Sequence, residues 1–297
     1  MRRILLSVVA ALALVFGFAT PANAITGNYV KDFEHPYVGL VVFYDAEGEF
    51  SGRCSGSLLN PTVFLTAGHC TEGATSARVY FQQDAGVNLD LEEGIDPTTG
   101  YPETCAGNTL GTLCATSDEL YNYGFNEFAG FPDTHDVGLV ILDQPIELDE
   151  YGVLAADGSL DELATRRGQQ ATTFTASGYG LSYSSPVGVE SFRERLMAQA
   201  KLTNLRSANT DGYNLQTNGN GNGRGGTCSG DSGGPVFYGG YESNLIVAVT
   251  SFGMNEWCRG TDFAYRTDRQ EVIDWILKIA RDADAGDASA GIEVVPV

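Results

Sequence analysis

Short apolar runs separated by Gly, Pro and Asn recur along most of this chain. They lie at residues 37–44, 54–59, 63–66, 137–142, 170–177, 235–238 and 245–251. Many short strands with turn residues between them are typical of an antiparallel barrel or sandwich. Helical periodicity is scarce until residues 269–283, where the apolar positions that share one face are Val272, Ile273, Ile276, Ile279 and Ala280. The pattern therefore predicts an all-β fold that ends in one amphipathic helix.

Two stretches have the composition of insertions into this scaffold. Residues 84–131 are rich in Gly, Asp, Glu and Tyr, and the separation of Cys105 and Cys114 within them fits a local disulfide that staples a long loop. Residues 209–226 are rich in Asn and Gly and are expected to be mobile. The acidic end, residues 282–297, is expected to be a disordered tail. The alternative is that Ile292-Glu293-Val294-Val295 adds an edge strand.

The chain begins with a pattern typical of a secretory signal peptide. The pair Arg2-Arg3 precedes an apolar run at residues 4–19, and Pro21-Ala22-Asn23-Ala24 supplies small residues for cleavage. The alternative, a transmembrane anchor, needs about 20 apolar residues, and the run is shorter. We therefore expect residues 1–24 to be removed and residues 25–281 to form the folded domain of a secreted protein that has no stable membrane association.

The charge balance narrows the classes of partner. The formal net charge is −21, with 38 Asp plus Glu residues. Nucleic acids and anionic membranes require a basic surface, so both are excluded as partners. A solvated surface that resists aggregation is favoured over a salty habitat or a calcium site. Six cysteines in an exported chain indicate three disulfides, and the lack of CxxC and HExxH motifs argues against a zinc site.

The segment Thr227-Cys228-Ser229-Gly230-Asp231-Ser232-Gly233-Gly234-Pro235 surrounds a candidate nucleophile, Ser232. Small neighbours allow a sharp turn and leave room for a substrate carbonyl, but a serine hydroxyl reacts only beside a base. The motif also fits the nucleophile elbow of an α/β-hydrolase, in which the histidine follows the serine. That fold is excluded because every histidine precedes Ser232: His35, His69 and His135.

His69 and Asp136 are the candidates for the base and for the group that orients it. His69 follows an apolar strand, and Asp136 opens the apolar run at residues 137–142. A charge in that position is costly unless it is paired. A carboxylate that holds an imidazole in one tautomer requires such a buried location. A structural role for His69 beside a disulfide is the alternative.

Three segments together resemble the signatures of the chymotrypsin-like (trypsin family) serine proteases: Thr66-Ala67-Gly68-His69-Cys70, Asp136-Val137-Gly138-Leu139 and Gly230-Asp231-Ser232-Gly233-Gly234-Pro235. The resemblance covers residues 25–280. It implies two packed six-stranded antiparallel β-barrels with a C-terminal α-helix, a boundary near residues 145–165, and a site in the cleft between the barrels. It also implies the disulfides Cys54–Cys70 and Cys228–Cys258, which leaves Cys105–Cys114 for the inserted loop.

The roles of the site residues follow from this resemblance. Ser232 would attack a peptide carbonyl, His69 would transfer its proton, and Asp136 would orient His69. The backbone N–H groups of Gly230 and Ser232 would form the oxyanion hole. The implied function is a secreted, monomeric serine endopeptidase that acts on proteins or peptides without a cofactor. The alternatives are a catalytically silent relative that binds partners and an esterase-like side activity.

Asp231 beside the nucleophile has a separate implied role. In the resembled family this Asp is neutralised by the α-amino group of a mature N-terminal Ile or Val. Here Ile25-Thr26-Gly27-Asn28 resembles that start and directly follows the predicted cut after Ala24. We therefore predict that signal peptidase itself creates the N-terminus that pairs with Asp231, and that no separate propeptide is needed.

The resemblance places the primary specificity pocket beside Ser232, with these walls: Gly226, Thr227 and Cys228, and Ser251, Phe252 and Gly253. Trypsins have an Asp six residues before the nucleophile, where this chain has Gly226. Asp262 falls instead at a wall position where Gly is usual. Its carboxylate would receive Arg or Lys, with broader tolerance. The alternative is that Asp262 caps a turn and points to solvent.

The sequence also bears on calcium binding and on the roles of His35 and His135. Some members of the resembled family bind calcium in a loop that here contains Asp84, Asp90, Glu92, Glu93 and Asp96. No ligand spacing there is diagnostic, so no metal is predicted, and structural calcium stays an open alternative. His35 is expected to be structural. His135 is expected to point to the other face of an extended strand from Asp136.

Overall fold

The computed structural model describes residues 25–85, 113–164, 171–191, 193–220, 223–283 and 287–297. The predicted signal peptide, Cys105 and the acidic residues at 90–96 lie outside these ranges. The predictions made for them therefore stay predictions.

The described part of the chain is built mainly of strands. The first half contains β1 (Thr26–Gly27), β2 (Tyr29–Lys31), β3 (Val38–Tyr44), β4 (Phe50–Leu58), β5 (Val63–Thr66), α1 (Gly68–Thr71), β6 (Ser76–Tyr80), β7 (Cys114–Ser117), β8 (Glu119–Asn122) and β9 (Gly138–Ile141). The second half contains β10 (Val153–Ala155), a 3-10 turn at Asp161–Ala164, β11 (Thr173–Gly178), β12 (Tyr183–Ser185), β13 (Gly188–Glu190), β14 (Leu196–Asn204), β15 (Asn214–Asn218), β16 (Gly225–Gly226), β17 (Pro235–Tyr238), β18 (Leu245–Gly253), β19 (Thr261–Arg266), α2 (Gln270–Asp282) and β20 (Val294–Val295).

The first barrel is a sheet in the order β7-β6-β3-β4-β5-β9-β8. Only Asp118 separates β7 from β8, so the two act as one bent strand that pairs with β6 at one end and with β9 at the other. This bent strand closes a barrel of six strands. β3 is buried along its whole length, because one face fills the barrel and the other packs against neighbouring structure.

The second barrel is the ring β17-β11-β14-β15-β19-β18, which the pairing of β17 with β18 closes. Every pairing in this ring is antiparallel. The remaining strands of the sheet, β2, β10 and β20, attach outside the ring. The prediction of two six-stranded antiparallel barrels is therefore confirmed.

Each end of the chain crosses from one barrel to the other. At the start, β1 pairs with β16 and β2 pairs with β14, so residues 26–31 lie against the second barrel. At the end, α2 spans the predicted residues to within one position and buries Val272, Ile273, Ile276 and Ala280. Its Trp275 ring lies 5.2 Å from Tyr123 of the first barrel. Among the described residues, no helix is long and apolar enough to cross a membrane.

Two segments that were expected to be loops contain barrel strands. The Asn/Gly-rich stretch holds β15, which pairs on both sides and buries Leu215. The predicted insertion at residues 84–131 holds β7 and β8, where Ala115 and Ser117 alternate inward. In both cases the flanking polar residues concealed a short strand whose partners come from distant parts of the chain.

The expected disordered tail is not what the structure shows for residues 287–297. Val294–Val295 form β20, which runs parallel to β10 and matches the alternative interpretation of an edge strand. Asn60 of the first barrel donates its Nδ2 to the carbonyl oxygens of Ala288 (2.5 Å) and Ala290 (2.9 Å). Ile292 and Val294 pack against the core, so apolar contact and hydrogen bonds both hold this segment.

Candidate active site

Ser232 lies on a tight turn between β16 and β17 that is held by both barrels. Ser55 of the first barrel donates its backbone N–H to the Ser232 carbonyl (2.8 Å) and its Oγ to the Gly230 carbonyl (2.8 Å). Gly233 donates its N–H to the Thr250 carbonyl of the second barrel (2.7 Å). Gly230 has φ +99°, a value that only glycine adopts readily, and a Cβ on Gly233 would collide with Thr66. The small residues seen in the sequence are therefore required by the turn.

His69 and Asp136 meet as the sequence predicts. Helix α1 carries His69, and Asp136 stands just before β9. The Nδ1 atom of His69 lies 2.9 Å from Asp136 Oδ2, and the His69 backbone N–H donates to Asp136 Oδ1 at 2.8 Å. Ser251 Oγ also donates to Asp136 Oδ2. Asp136 has no exposed surface, so three donors replace the water that its carboxylate has lost.

Asp136 also changes the acid–base behaviour of His69. Burial opposes protonation of the imidazole, but the hydrogen bond to Asp136 and the charge of Asp136 outweigh it. The pKa of His69 is therefore raised above its ordinary value of 6.5. The described residues contain no hydrogen bond between His69 and the Ser232 hydroxyl. Such pairs tighten in many enzymes only when substrate binds.

Two backbone donors beside Ser232 have no acceptor. Asp231 N–H bonds to the Cys228 carbonyl (2.9 Å), and Gly234 N–H bonds to the Asp231 carbonyl (2.8 Å). The N–H groups of Gly230 and Ser232 donate to no protein atom in the described structure, whereas those of Asp231, Gly233 and Gly234 are satisfied. The two unpaired donors suit a negative charge that forms on a substrate oxygen next to the serine.

Asp231 is completely buried behind the turn. Its carboxylate accepts the backbone N–H groups of Gly180 (2.8 Å) and Cys228 (2.9 Å). No Lys, Arg or His of the described chain forms an ion pair with it. Burial raises its pKa to about 7, and the two backbone hydrogen bonds offset only part of that effect. A Cβ on Gly180 would lie 2.6 Å from the Asp231 carboxyl carbon, so Gly180 gives this carboxylate its space.

Ile25 is the first described residue and is fully buried against Leu196 and Ala198. In the uncleaved chain its nitrogen belongs to a peptide bond. The predicted ion pair between a free Ile25 amino group and Asp231 therefore stays a prediction.

A cavity of about 410 Å³ opens beside Ser232. Every wall residue predicted for the specificity pocket except Gly226 lines it: Thr227, Cys228, Ser251, Phe252, Gly253 and Asp262. Gly226 lies directly behind, where a Cβ would be 2.5 Å from Asp262 Oδ2. A larger cavity of about 600 Å³ lies on the far side of Gly226 but does not include Ser232.

Asp262 is inside this cavity and does not point to solvent. It is 8% exposed, and among the described residues its carboxylate accepts a single hydrogen bond, from the Thr227 N–H to Oδ2 (3.0 Å). Burial raises its pKa to about 7, and that single bond offsets only part of the effect. The alternative interpretation, a turn cap that faces solvent, is therefore wrong. Position 226 is glycine here because the carboxylate of Asp262 occupies the space that its side chain would need.

An aromatic rim beside His69 was missed by sequence reasoning. Phe125 lies 5.8 Å from the His69 ring, and Phe128 and Phe131 lie 5.2 and 5.9 Å from Phe252. Phe128 is 41% exposed and Phe131 is 40% exposed, so both rings are open to a ligand. The signal was the spacing of phenylalanines at residues 125, 128 and 131, which the composition of a polar insertion concealed. We call Phe125, Phe128 and Phe131 the aromatic rim.

The other two histidines lie apart from the nucleophile. His35 is buried, with Nδ1 2.8 Å from Asp32 Oδ2 and its ring stacked on Phe237 at 4.3 Å. His135 has φ +50°, so the prediction that it sits on an extended strand is wrong. Its Nε2 lies 3.3 Å from Asp133. The chain turns sharply just before Asp136 and does not run straight into β9.

Two predicted disulfides are present and both support the site. Cys54–Cys70 links β4 to α1, which carries His69, and Cys228–Cys258 links the nucleophile turn to the cavity wall. Cys114 is also disulfide-bonded, and its predicted partner Cys105 lies outside the described residues.

A calcium site cannot be placed, because most of its candidate ligands lie outside the described ranges. Of those ligands only Asp84 is described, and it forms an isolated β-bridge with Glu194. Within the described chain, one group has the spacing of metal ligands: Cys54, His69 and Cys70. Two of its members are bonded to each other, so it offers no ligand set.

Comparison with known proteins gives the same family as the geometry. The chain is 28% identical to brachyurin of Leptuca pugilator over 75% of this chain and 85% of the relative. It is 27% identical to serine protease 1 of Drosophila melanogaster over 86% of this chain and 87% of the relative.

Solved structures with the same fold include two of different description. HL collagenase superposes with a TM-score of 0.57 at 20% identity, covering 86% of this chain and 97% of that one. Human heparin binding protein superposes with a TM-score of 0.58 at 19% identity, covering 85% and 96%. At this identity the likeness shows the fold alone. The family model described as Trypsin matches residues 25–276, and the chain therefore belongs to the trypsin family of serine proteases.

Proposed function

We propose that this chain is a secreted serine endopeptidase whose catalytic triad is His69, Asp136 and Ser232. The observation that carries the proposal is the buried Asp136, whose oxygens bind both the ring and the backbone of His69, beside a serine with two unpaired backbone donors. The family supports a protease that acts on protein substrates. The secretory pattern at residues 2–24 supports export.

The chemistry follows from these positions. Ser232 Oγ attacks the carbonyl carbon of a peptide bond while its proton moves to His69 Nε2. The carbonyl oxygen becomes an anion and accepts the N–H groups of Gly230 and Ser232. The intermediate collapses to an acyl-enzyme, and His69 returns the proton to the leaving amine. Water then attacks the ester by the same route, which regenerates the Ser232 hydroxyl.

Asp136 keeps His69 in the tautomer that can accept this proton. Its carboxylate binds Nδ1–H, so Nε2 carries the lone pair. When His69 becomes a cation during the reaction, the negative charge of Asp136 stabilises it. This stabilisation is the same interaction that raises the pKa of His69 in the free protein.

The second candidate is a catalytically silent member that binds partners through the same fold. One solved structure of this fold is described as a heparin binding protein. Heparin is a polyanion, and the net charge of −21 on this chain opposes binding to it. A catalytically silent protein would also have no use for the unpaired N–H groups of Gly230 and Ser232.

A fluorophosphonate probe tests the enzyme against the silent alternative. We expect the secreted wild-type protein to be labelled covalently, and Ser232→Ala and His69→Ala not to be labelled. The same samples should cleave peptides only when Ser232 and His69 are both present. A wild-type protein that is folded by circular dichroism, starts at Ile25 and is neither labelled nor active would contradict the proposal.

We also propose that a free amino group at Ile25 pairs with Asp231. Support comes from the buried Ile25 and from a buried carboxylate that has two backbone donors and forms no ion pair within the described chain. N-terminal sequencing of the active secreted protein should give Ile25, and a different start contradicts this. Ile25→Gly should lower activity without unfolding the protein, and Ile25→Val, the matched control, should retain it.

The cavity beside Ser232 is proposed as the pocket for the side chain that precedes the cleaved bond. The residues that line this cavity include Phe252 and Met254, which are apolar, and Asp262, which contributes a carboxyl group. The cavity has both apolar surface and a group that binds Arg or Lys. The proposed substrate class is inferred from these lining residues.

A further inference from the structure

The carboxyl group of Asp262 is buried and has few hydrogen-bond donors, which is unusual for a carboxylate that binds a charged ligand. It lies in the cavity next to Ser232, is 8% exposed, and accepts one hydrogen bond, from the Thr227 N–H. Its Oδ1 atom has no donor among the described residues. A buried carboxylate with so few partners is costly, whereas a neutral carboxylic acid in the same place is not.

The neighbouring groups add no positive charge. Of the residues that line the cavity, Glu256 is the other titratable side chain, and none is basic. The neighbouring strands β1, β15, β16 and β18 carry no titratable side chain. On β19 itself the other titratable residues are Tyr265 and Arg266, and Arg266 forms ion pairs with Asp161 and Asp268. Across the Cys228 turn, Asp231 is a second buried carboxyl group that interacts with Asp262 through its charge. Arg259 lines the larger cavity on the far side of Gly226.

A basic substrate side chain lowers the free-energy cost of ionising Asp262, because it carries a positive charge into the cavity. The guanidinium of Arg or the ammonium of Lys supplies the missing counter-ion and stabilises ionised Asp262. An aromatic or aliphatic side chain gains nothing from a charge in the cavity and is accommodated better by the neutral acid against Phe252 and Met254.

We propose that protonation of Asp262 switches the cavity between two substrate classes, basic side chains when the carboxyl group is ionised and apolar side chains when it is neutral. The proposal rests on the serine endopeptidase function given above. Since burial raises the pKa of Asp262 to about 7, the change occurs in the range where secreted enzymes work.

The expected size of the switch follows from the ionised fraction. Below the pKa of the free enzyme, kcat/KM for a substrate that needs the ionised form falls about tenfold for each pH unit. The titration of His69 affects every substrate alike and cancels in a ratio. The ratio of kcat/KM for an Arg peptide to kcat/KM for a matched Phe peptide should therefore rise about tenfold per pH unit on both sides of about pH 7, because the ionised fraction of Asp262 rises below its pKa and the neutral fraction falls above it.

The experiment measures this ratio for the mature enzyme and for two variants. Asp262→Asn keeps an acceptor for Thr227 but has no charge, so its ratio should be low and independent of pH. Glu47→Gln, a control that removes an exposed carboxyl group between β3 and β4 and outside the cavity, should keep the wild-type profile. A wild-type ratio that stays flat while both peptides are cleaved overturns the switch. If neither peptide is cleaved and the fluorophosphonate probe does not react, the proposed function fails instead.

Binding of benzamidine, a small aromatic cation, gives a readout that does not depend on turnover. At about pH 6, titration calorimetry of the Ser232→Ala protein in buffers of different ionisation enthalpy should show the release of nearly one proton as Asp262 ionises. Release should vanish at about pH 8.5 and in Ser232→Ala/Asp262→Asn. Binding at pH 6 without proton release overturns the proposal, even if that double variant folds poorly.

Discussion

Asp136 and Asp262 are both buried carboxyl groups next to the proposed nucleophile, Ser232. They differ in the number of hydrogen-bond donors that their carboxylates receive. Asp136 receives three donors, from the His69 ring, the His69 backbone and Ser251. Asp262 receives one, from the Thr227 backbone, and its pKa is raised to about 7. Both side chains are buried, and the two sites differ in the number of donors that face the carboxylate.

The difference matches the two proposed tasks. Asp136 must keep a constant charge through the catalytic cycle, because His69 becomes a cation in each turn. Asp262 is proposed to gain its counter-ion from the substrate, so the protein itself provides few donors to its carboxylate. Asp231 resembles Asp262 in this respect, with two backbone donors and a pKa of about 7. Its proposed counter-ion is the amino group of the chain itself.

The largest effect should come from Asp136→Asn. The amide presents an N–H or an oxygen to Nδ1 without charge, which allows the wrong tautomer of His69, and kcat should fall about 10⁴-fold. Steady-state kinetics on a Phe peptide measures it, with Ser251→Ala as a control that removes one donor and keeps the charge. A loss smaller than about tenfold in Asp136→Asn would show that the charge of Asp136 is not what maintains activity.

Asp262→Asn should stabilise the folded protein in alkaline solution. The folded pKa of about 7 lies above the ordinary 3.8, so the cost of the charge is absent at low pH, grows as pH rises from 3.8, and is complete above about 7. The variant should gain up to about 4 kcal/mol of unfolding free energy at about pH 8.5 and little at about pH 4. Urea denaturation at both values checks it. An equal gain at both would assign the effect to packing.

The acid limb of the pH profile on an apolar substrate should report His69, whereas Asp262 should affect the alkaline limb alone. His69 acts as a base only when neutral, and its pKa is raised, so kcat/KM on the Phe peptide should fall about tenfold per unit as pH drops below that pKa. Asp262→Asn should leave this acid limb in place. If the limb moves in that variant, the two carboxyl groups are coupled and the comparison between them no longer holds.

The smallest effect is expected from the aromatic rim. Phe128 packs on Phe252, which lines the cavity, but touches neither carboxyl group. Phe128→Ala should lower kcat/KM on long peptides with apolar residues by roughly two- to tenfold, the scale of one aromatic contact. The Arg-to-Phe ratio should stay unchanged, in contrast to Asp262→Asn. Phe128→Tyr is the matched control, and a shift of the ratio in Phe128→Ala would extend the specificity site to the rim.

The sequence could predict the parts of the site that local motifs define. Ser232, His69 and Asp136 each sit in a short segment whose residues are required by a turn, a helix end or a buried strand. The order of the histidines excluded the competing fold. The alternation of apolar and turn residues predicted most strands of both barrels and the helix α2 to within one residue at each end.

Features that depend on distant partners could not be read in this way. The strand β15 lies in an Asn/Gly-rich stretch and is held only because β14 and β19 pair with it. The sequence alone did not decide whether Asp262 points into the cavity or to solvent. Its position is set by the space at Gly226, a residue 36 positions earlier. The role of Gly180 as a space for Asp231 has the same origin.

The crossing of the chain ends has a consequence for the order of folding. The strand β1 pairs Thr26 with Gly226, so the first residues of the domain find their partner only when about two hundred further residues are present. The nucleophile and the last strands of the second barrel come later still. Contacts this distant in sequence make folding slow. The cleft is therefore complete only after the strands of the second barrel have paired, so the protein cannot cleave a substrate before that point.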